Sequence, residues 1–233
     1  MFSFRFITYF SIQHLKSASL LAIESQKIES QNISDISGNV KTDLDTRNKA
    51  FVTGSLFATV SFLEATIREI LFDIASHQER MNNIPKITRD IIQLEWSKKK
   101  SKLKYTSTLE KYKGVLKMIN KNKIDENSEL YENLRAIIKV RHALIHYNPE
   151  VYSIHSPFTS INYDQFELTE FLDGKFNYSI FYENSGNPFF PDKCLSYGFA
   201  SWALENALAF TDDFHDQIKI KPIYDHVRKD III

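Results

Sequence analysis

The stretch Arg47–His77, RNKAFVTGSLFATVSFLEATIREILFDIASH, carries Val52, Leu56, Val60, Leu63, Ile67, Ile70, Leu71 and Ile74 at helical intervals. That spacing lays the apolar side chains along one face of a long helix. Glu64 and Arg68, and likewise Glu69 and Asp73, stand four apart on the opposite side, where such residues are neighbours. Gly54 costs the helix about 1 kcal/mol relative to alanine, which a run of this length tolerates. So long an apolar stripe needs partners, and the flanking sequence supplies them.

Toward the N-terminus, Ile12, Leu15, Leu20 and Ile23 predict a first helix from Ile12 to about Ile28. The polar run Glu29 to Thr46, with Gly38 inside it, predicts a loop ending at a cap such as Asp45 or Thr46. Beyond Pro85, Ile87 to Trp96 and Thr108 to Asn120 are helix candidates, the second through Leu109, Tyr112, Leu116 and Ile119. Asn127 or Ser128 can cap a further helix, marked by Leu130, Leu134, Ile137, Ile138, Leu144 and Ile145 and stopped by Pro149. From Val151 to Tyr182 aromatic and β-branched residues alternate with polar ones, and Asp173-Gly174 sits where a hairpin turn would. This predicts a small β-hairpin or extended insertion near residues 151–185, closed by Pro188 and Pro191. Helical spacing resumes from Leu195 to about Ile218 through Phe199, Trp202, Leu204, Leu208 and Phe214, and Lys219 to Ile233 reads as a tail. The expected fold is all-α: one domain over residues 1–233, a helical bundle around a long central helix, with 151–192 inserted before the last long helix.

Composition bounds the function. Hydrophobic residues at 43% and charged residues at 25% are ordinary for a globular chain, and 233 residues suffice for a full core. Cys194 is the single cysteine, which rules out an intramolecular disulfide and fits a reducing, cytoplasmic setting. Met1 to Phe10 is interrupted by Arg5 and followed by Gln13, His14 and Lys16, so no signal core is read there and no membrane partner is expected. Basic and acidic residues balance at 29 each, yet Lys98, Lys99, Lys100, Lys102, Lys104, Lys111, Lys113, Lys117, Lys121 and Lys123 crowd one segment opposed only by Glu95 and Glu110. Such a run is either a solvated face or a phosphate-tracking surface, with Trp96, Tyr105 and Tyr112 available for stacking.

The candidate site lies before Pro149. Leu134, Ile137, Ile138, Arg141 and Ile145 share one side of their helix, so Arg141 takes a register that the pattern gives to apolar residues. A guanidinium in a seam needs a carboxylate, for which Glu64 and Glu132 are candidates, or an incoming anion. His146 follows five residues on, a turn of ~140° on an ideal helix, and the two can still converge on one phosphate at a helix end. An imidazole can take and return a proton while an arginine fork stabilises charge at a phosphoryl centre. A competing pattern pairs His142 and His146, four apart as metal ligands can be, with His155 as a third donor if the next loop folds back. Ala143 stands where the zinc-protease glutamate would be, so no metal or other cofactor is expected, and His142 reads as a supporting, substrate-facing group.

The stretch Leu134-Arg135-Ala136-Ile137-Ile138-Lys139-Val140-Arg141-His142-Ala143-Leu144-Ile145-His146 resembles the signature of the HEPN superfamily, in which an arginine and a histidine end a helix of a small bundle. Ser61-Phe62-Leu63-Glu64-Ala65 within the long helix, and the Trp202 helix, are similar to uncharacterised bacterial members, so the likeness spans about half the chain. The resemblance implies metal-independent RNA cleavage by a homodimer with Arg141 and His146 as catalytic residues facing their copies across a two-fold axis. His142 replaces the polar residue, commonly asparagine, that follows the arginine. HEPN toxins paired with nucleotidyltransferase antitoxins have a tyrosine two residues after the histidine, whereas this chain has Asn148 there and Tyr147 one residue early, so Tyr147 is at most supporting, like Glu64. The function so implied is a toxin or phage-defence endoribonuclease, restrained by an antitoxin or defence-complex partner, with Lys98, Lys99, Lys100, Lys102 and Lys104 binding RNA. The alternative is a non-catalytic dimeric HEPN module that binds RNA or a partner protein.

Overall fold

The computed structural model describes residues 7–31, 38–99, 101–119, 124–147 and 163–231. Every helix or strand among them is helical: α1 (Ser11–Glu29), α2 (Gly38–Ala75), α3 (Lys86–Ser97), a short α4 (Lys102–Tyr105), α5 (Thr108–Met118), α6 (Glu129–Ile145), α7 (Tyr163–Leu172) and α8 (Tyr197–Ile218). The all-α expectation therefore holds for the described residues.

α2 is the central helix and buries Val52, Leu56, Leu63, Ile67, Ile70, Leu71 and Ile74 as its spacing requires. It starts earlier than the sequence suggests, at Gly38, so most of the loop expected over Glu29 to Thr46 is helix. The hydroxyls of Thr42 and Thr46 donate to the carbonyls of Gly38 and Thr42 at 3.0 and 2.9 Å, satisfying polar side chains inside the helix. Asp45 is not its cap: its carboxylate accepts from the Tyr182 hydroxyl at 2.5 Å and pairs with Lys49 at 3.3 Å.

α1 runs antiparallel to α2. A Cβ on Gly54 would stand 3.1 Å from Leu21 Cδ1, so the glycine lets the helices approach, and Ser55 Oγ donates to the Ala18 carbonyl at 2.8 Å. Glu69, expected on a solvent face, caps α1 instead: its carboxylate accepts from the backbone N–H groups of Phe10 and Ser11 at 2.6 and 2.9 Å. Asp73 is fully buried rather than exposed, accepting from Tyr9 at 2.8 Å and from Arg80 Nε at 2.7 Å.

α6 and α8 complete the bundle. Tyr131 and Leu134 of α6 pack in one core cluster with Phe62 to Ile74 of α2, while Ala136, Ile137 and Val140 join Val52 and Leu56 in a second, so α6 is antiparallel to α2. Phe199 to Ala203 belong to the second cluster and Leu204 to Ile218 to the first, so α8 runs parallel to α2. Both clusters thus lie along the same helices, and α3 and α5 cover the C-terminal half of α2.

No strand forms among the described residues of the insertion, so the β-hairpin is not confirmed there. Asp173-Gly174 ends α7: Asp173 N–H donates to Thr169 O at 2.9 Å, and Gly174 takes the left-handed φ of +76° that closes a helix. Leu168 and Leu172, read as part of an alternating strand pattern, are apolar one helical turn apart and both sit in the core. Residues 148–162, including His155, Asn148 and Pro149, lie outside the described residues. The tail also packs: Tyr224 is fully buried, Val227 nearly so, and Ile231 lies against the same core, while Ile232 and Ile233 lie outside the described residues. One described helix, α2, has the length and apolar content to cross a membrane, and half of that window is buried inside this fold.

Candidate functional site at the end of α6

Ser128 starts α6 by accepting the Tyr131 N–H at 3.3 Å, and Glu129 and Glu132 place negative charge in the first turn, where the helix dipole favours it. The buried face then runs through Asn133, Leu134, Ala136, Ile137 and Val140. This is rotated from the face read in sequence, which ran through Ile138, Arg141 and Ile145. The correction matters for Arg141, which is exposed rather than buried in a seam. Asn133, a polar residue on this buried face, donates from Nδ2 to Asn206 Oδ1 of α8 at 2.8 Å. Neither expected carboxylate holds Arg141. Glu132 pairs with Arg135 at 3.0 Å, and Glu64 pairs with Arg68 and Lys111 at 2.8 and 3.1 Å. Among the described residues, nothing forms an ion pair with Arg141.

The helix ends at Ile145, and His146 N–H closes it on the His142 carbonyl at 2.9 Å. Four residues apart on one face, the imidazoles of His142 and His146 stand 4.5 Å centroid to centroid. Both are exposed, as is Arg141. Tyr147, 41% exposed, lies 6.4 Å from the Phe190 ring, and Ile145 beside it is 44% exposed. The end of α6 therefore offers solvent two imidazoles, one guanidinium and an apolar rim. Such a group can bind an anion and exchange protons with it. Among the described residues no three or more His, Cys, Asp or Glu side chains are grouped to hold a metal. Cys194 is fully buried, which pushes its thiol well up.

The chain matches no family model, no curated protein and no solved structure.

The lysine-rich segment is a different kind of region. Lys98 is exposed and pairs with Glu95, Lys99 is exposed, and Lys104 lies 5.4 Å over the Trp96 ring. The position of Lys100, and the side chain of Lys102, lie outside the described residues, as do Lys121 and Lys123. Lys111 is 2% exposed on Glu64, and Lys113 pairs with Glu110 and Glu126. Tyr112 cannot stack on a base, because it is fully buried with its hydroxyl on the Leu63 carbonyl at 2.8 Å. Tyr105, at 76% exposed, can. The segment docks at Glu64 and Arg68, whereas the motif end of α6 shares a core cluster with Val52 and Leu56. At 1.5 Å per residue that separates them by roughly 12 to 24 Å along α2.

Glu64 belongs to the lysine segment and not to the motif. Arg68, Thr108 and Lys111 surround it, and their hydrogen bonds and charge hold its carboxyl down at about 2 against the opposing effect of burial. Sequence reading missed Glu29, the last residue of α1. Its Oε1 accepts from Asn48 Nδ2 at 2.8 Å and from the Tyr197 N–H, in the first turn of α8, at 3.1 Å. Nothing in the local sequence marks it, since both donors come from other helices.

Proposed function

We propose that this chain is a HEPN-type endoribonuclease that cuts RNA without a metal ion, through a site shared between two copies. The observation that carries this reading is the end of α6, where Arg141, His142 and His146 are exposed together and the two imidazoles are 4.5 Å apart. In the reaction the ribose 2′-oxygen attacks phosphorus as the bond to the 5′-oxygen breaks, leaving a 2′,3′-cyclic phosphate and a 5′-hydroxyl. His146 takes the 2′-hydroxyl proton, and His142 supplies a second imidazole that returns one to the departing oxygen. Arg141 stabilises the added charge on the phosphorane, a role suited to a guanidinium that no described carboxylate neutralises. The setting this implies is a cytoplasmic toxin or phage-defence effector with a restraining protein partner.

A second reading, a non-catalytic dimeric module that binds RNA or a partner protein, has one observation in its favour. Ile145 and Tyr147, both more than 40% exposed, make the end of α6 as apolar as it is cationic, which suits a protein interface. Cleavage of RNA by the wild-type chain in EDTA, compared with His146→Ala, separates the two. The nuclease reading expects a fall of ~10² to 10⁴-fold. Full cleavage by a well-folded His146→Ala protein rejects it, and RNA binding without cleavage by the wild type supports the second reading.

A further inference from the structure

Away from the end of α6, an open cavity of about 510 Å³ lies between the end of α1, the start of α8 and the chain around Phe176. Phe176, Tyr178, Tyr197 and Trp202 contribute aromatic walls, with Phe176 packed 5.6 Å from Trp202 centroid to centroid. Gly198 also lines it; a Cβ there would stand 2.8 Å from the Asn177 carbonyl, so only glycine lets the chain at Asn177 meet α8.

The charges in this cavity are not balanced. Glu29 and Glu205 both line it. The one lining cation, Lys175, is turned toward Glu129 at 3.3 Å and lies 4.7 Å over the Phe171 ring. Both hydrogen bonds that Glu29 receives fall on Oε1, and among the described residues Oε2 has no donor. Burial dominates over the neutral N–H groups of Asn48 and Tyr197 and pushes the carboxyl up to about 7. A partly buried carboxylate with an acceptor oxygen that no described donor meets, beside aromatic faces, is the chemistry that recognises a protonated amine.

We propose that this cavity binds a small organic ammonium ion, its N–H groups donating to Glu29 Oε2 and its apolar body lying against Trp202 and Phe176. The site is independent of the α6 end and does not rest on the nuclease reading. A neutral donor gains the hydrogen bond but not the charge, and a quaternary ammonium gains the charge but not the hydrogen bond. Binding of the ammonium removes the proton from Glu29, so affinity rises from pH 6 to pH 8.

Calorimetric titration of the full chain with benzylamine, benzyl alcohol and benzyltrimethylammonium tests this. Saturable binding of benzylamine, at least about tenfold tighter than benzyl alcohol and tighter than the quaternary ion, is expected. Glu29→Gln keeps an oxygen for Asn48 and Tyr197 and removes the charge, so it should weaken benzylamine about tenfold or more and abolish the pH dependence. Should that variant fail to fold, Glu205→Gln, on an exposed residue, is expected to lower benzylamine affinity several-fold through the lost field. No saturable benzylamine binding, equal binding of benzyl alcohol, or wild-type affinity in a folded Glu29→Gln protein would each overturn the proposal.

Discussion

The lysine-rich segment and the end of α6 are the two cationic regions that the sequence singles out, and the fold treats them in opposite ways. The lysines are many, and four of the described ones are engaged. Lys98, Lys111 and Lys113 are paired with carboxylates, and Lys104 lies over Trp96. The end of α6 offers one guanidinium, Arg141, beside two imidazoles, and no described carboxylate holds them. The difference teaches that charge counted along a chain is not charge available to a ligand. A lysine closed onto a glutamate of its own fold has little field left for a phosphate.

The comparison breaks most easily at Arg141. If the end of α6 is where RNA is cut, Arg141→Ala lowers the cleavage rate by ~10² to 10⁴-fold, and Arg141→Lys recovers little because an ammonium lacks the bidentate fork. Because Arg141 is exposed and holds no partner among the described residues, both variants should melt within about 1 °C of wild type, as surface changes do. A large drop in melting temperature would show that the arginine is structural after all.

The opposite substitution sharpens the other side. Lys111→Met removes a 2% exposed ammonium from Glu64 and should cost about 2 kcal/mol in urea unfolding, less than a fully buried pair because Glu64 is 38% exposed and retains Arg68. RNA cleavage should be unchanged. Loss of cleavage with intact stability would mean that the lysine segment reaches the site.

Two glutamates extend the contrast to pH. Glu64, among cations, is held down at about 2, so its stabilising effect is complete above its ordinary value of 4.5 and is lost as pH falls toward 2. Glu29, among neutral donors, is pushed up from 4.5 to about 7, so the native state binds a proton that the unfolded chain releases. Its contribution is greatest below pH 4.5 and is lost as pH rises through 7. Wild-type melting temperature should therefore fall between pH 5 and pH 8 by on the order of 5 °C more than that of Glu29→Gln. Parallel curves for the two proteins would reject the shifted carboxyl.

The smallest effect is expected from the exposed end of the lysine run. Replacing Lys98, Lys99 and Lys100 with glutamine should weaken RNA binding by less than about tenfold and flatten its dependence on salt, since each lost phosphate contact lowers the slope by about 0.9 at most. An unchanged slope would remove this segment from the RNA surface altogether.

Much of the fold was legible in the chain because it rests on local periodicity. Val52 to Ile74 marked the central helix, Ser128 the start of α6, and Phe199 to Phe214 the last long helix, each through spacing that every residue in the run repeats. Where the reading failed, a distant residue had the deciding vote. Gly38 to Thr46 looked like a loop until Leu44 joined Phe181 in a buried cluster and Asp45 accepted from Tyr182, and Asp173-Gly174 looked like a hairpin turn until Leu168 and Leu172 found the core. Arg141 looked buried because Ile138 and Ile145 share its side, but Leu134, Ala136, Ile137 and Val140 face the core, and Asn133 meets Asn206 of α8. Glu29 was invisible for the same reason, its partners being Asn48 and Tyr197. Sequence by itself determined the core of α2, the course of α6 and α8, and which residue types meet at the end of α6, because helix periodicity and the order of Arg141, His142 and His146 are properties of neighbours along the chain. Only the tertiary structure decided which way each helix faces, which charges are closed onto carboxylates and which stay open, because burial and pairing depend on groups brought together from 19 to 168 residues away.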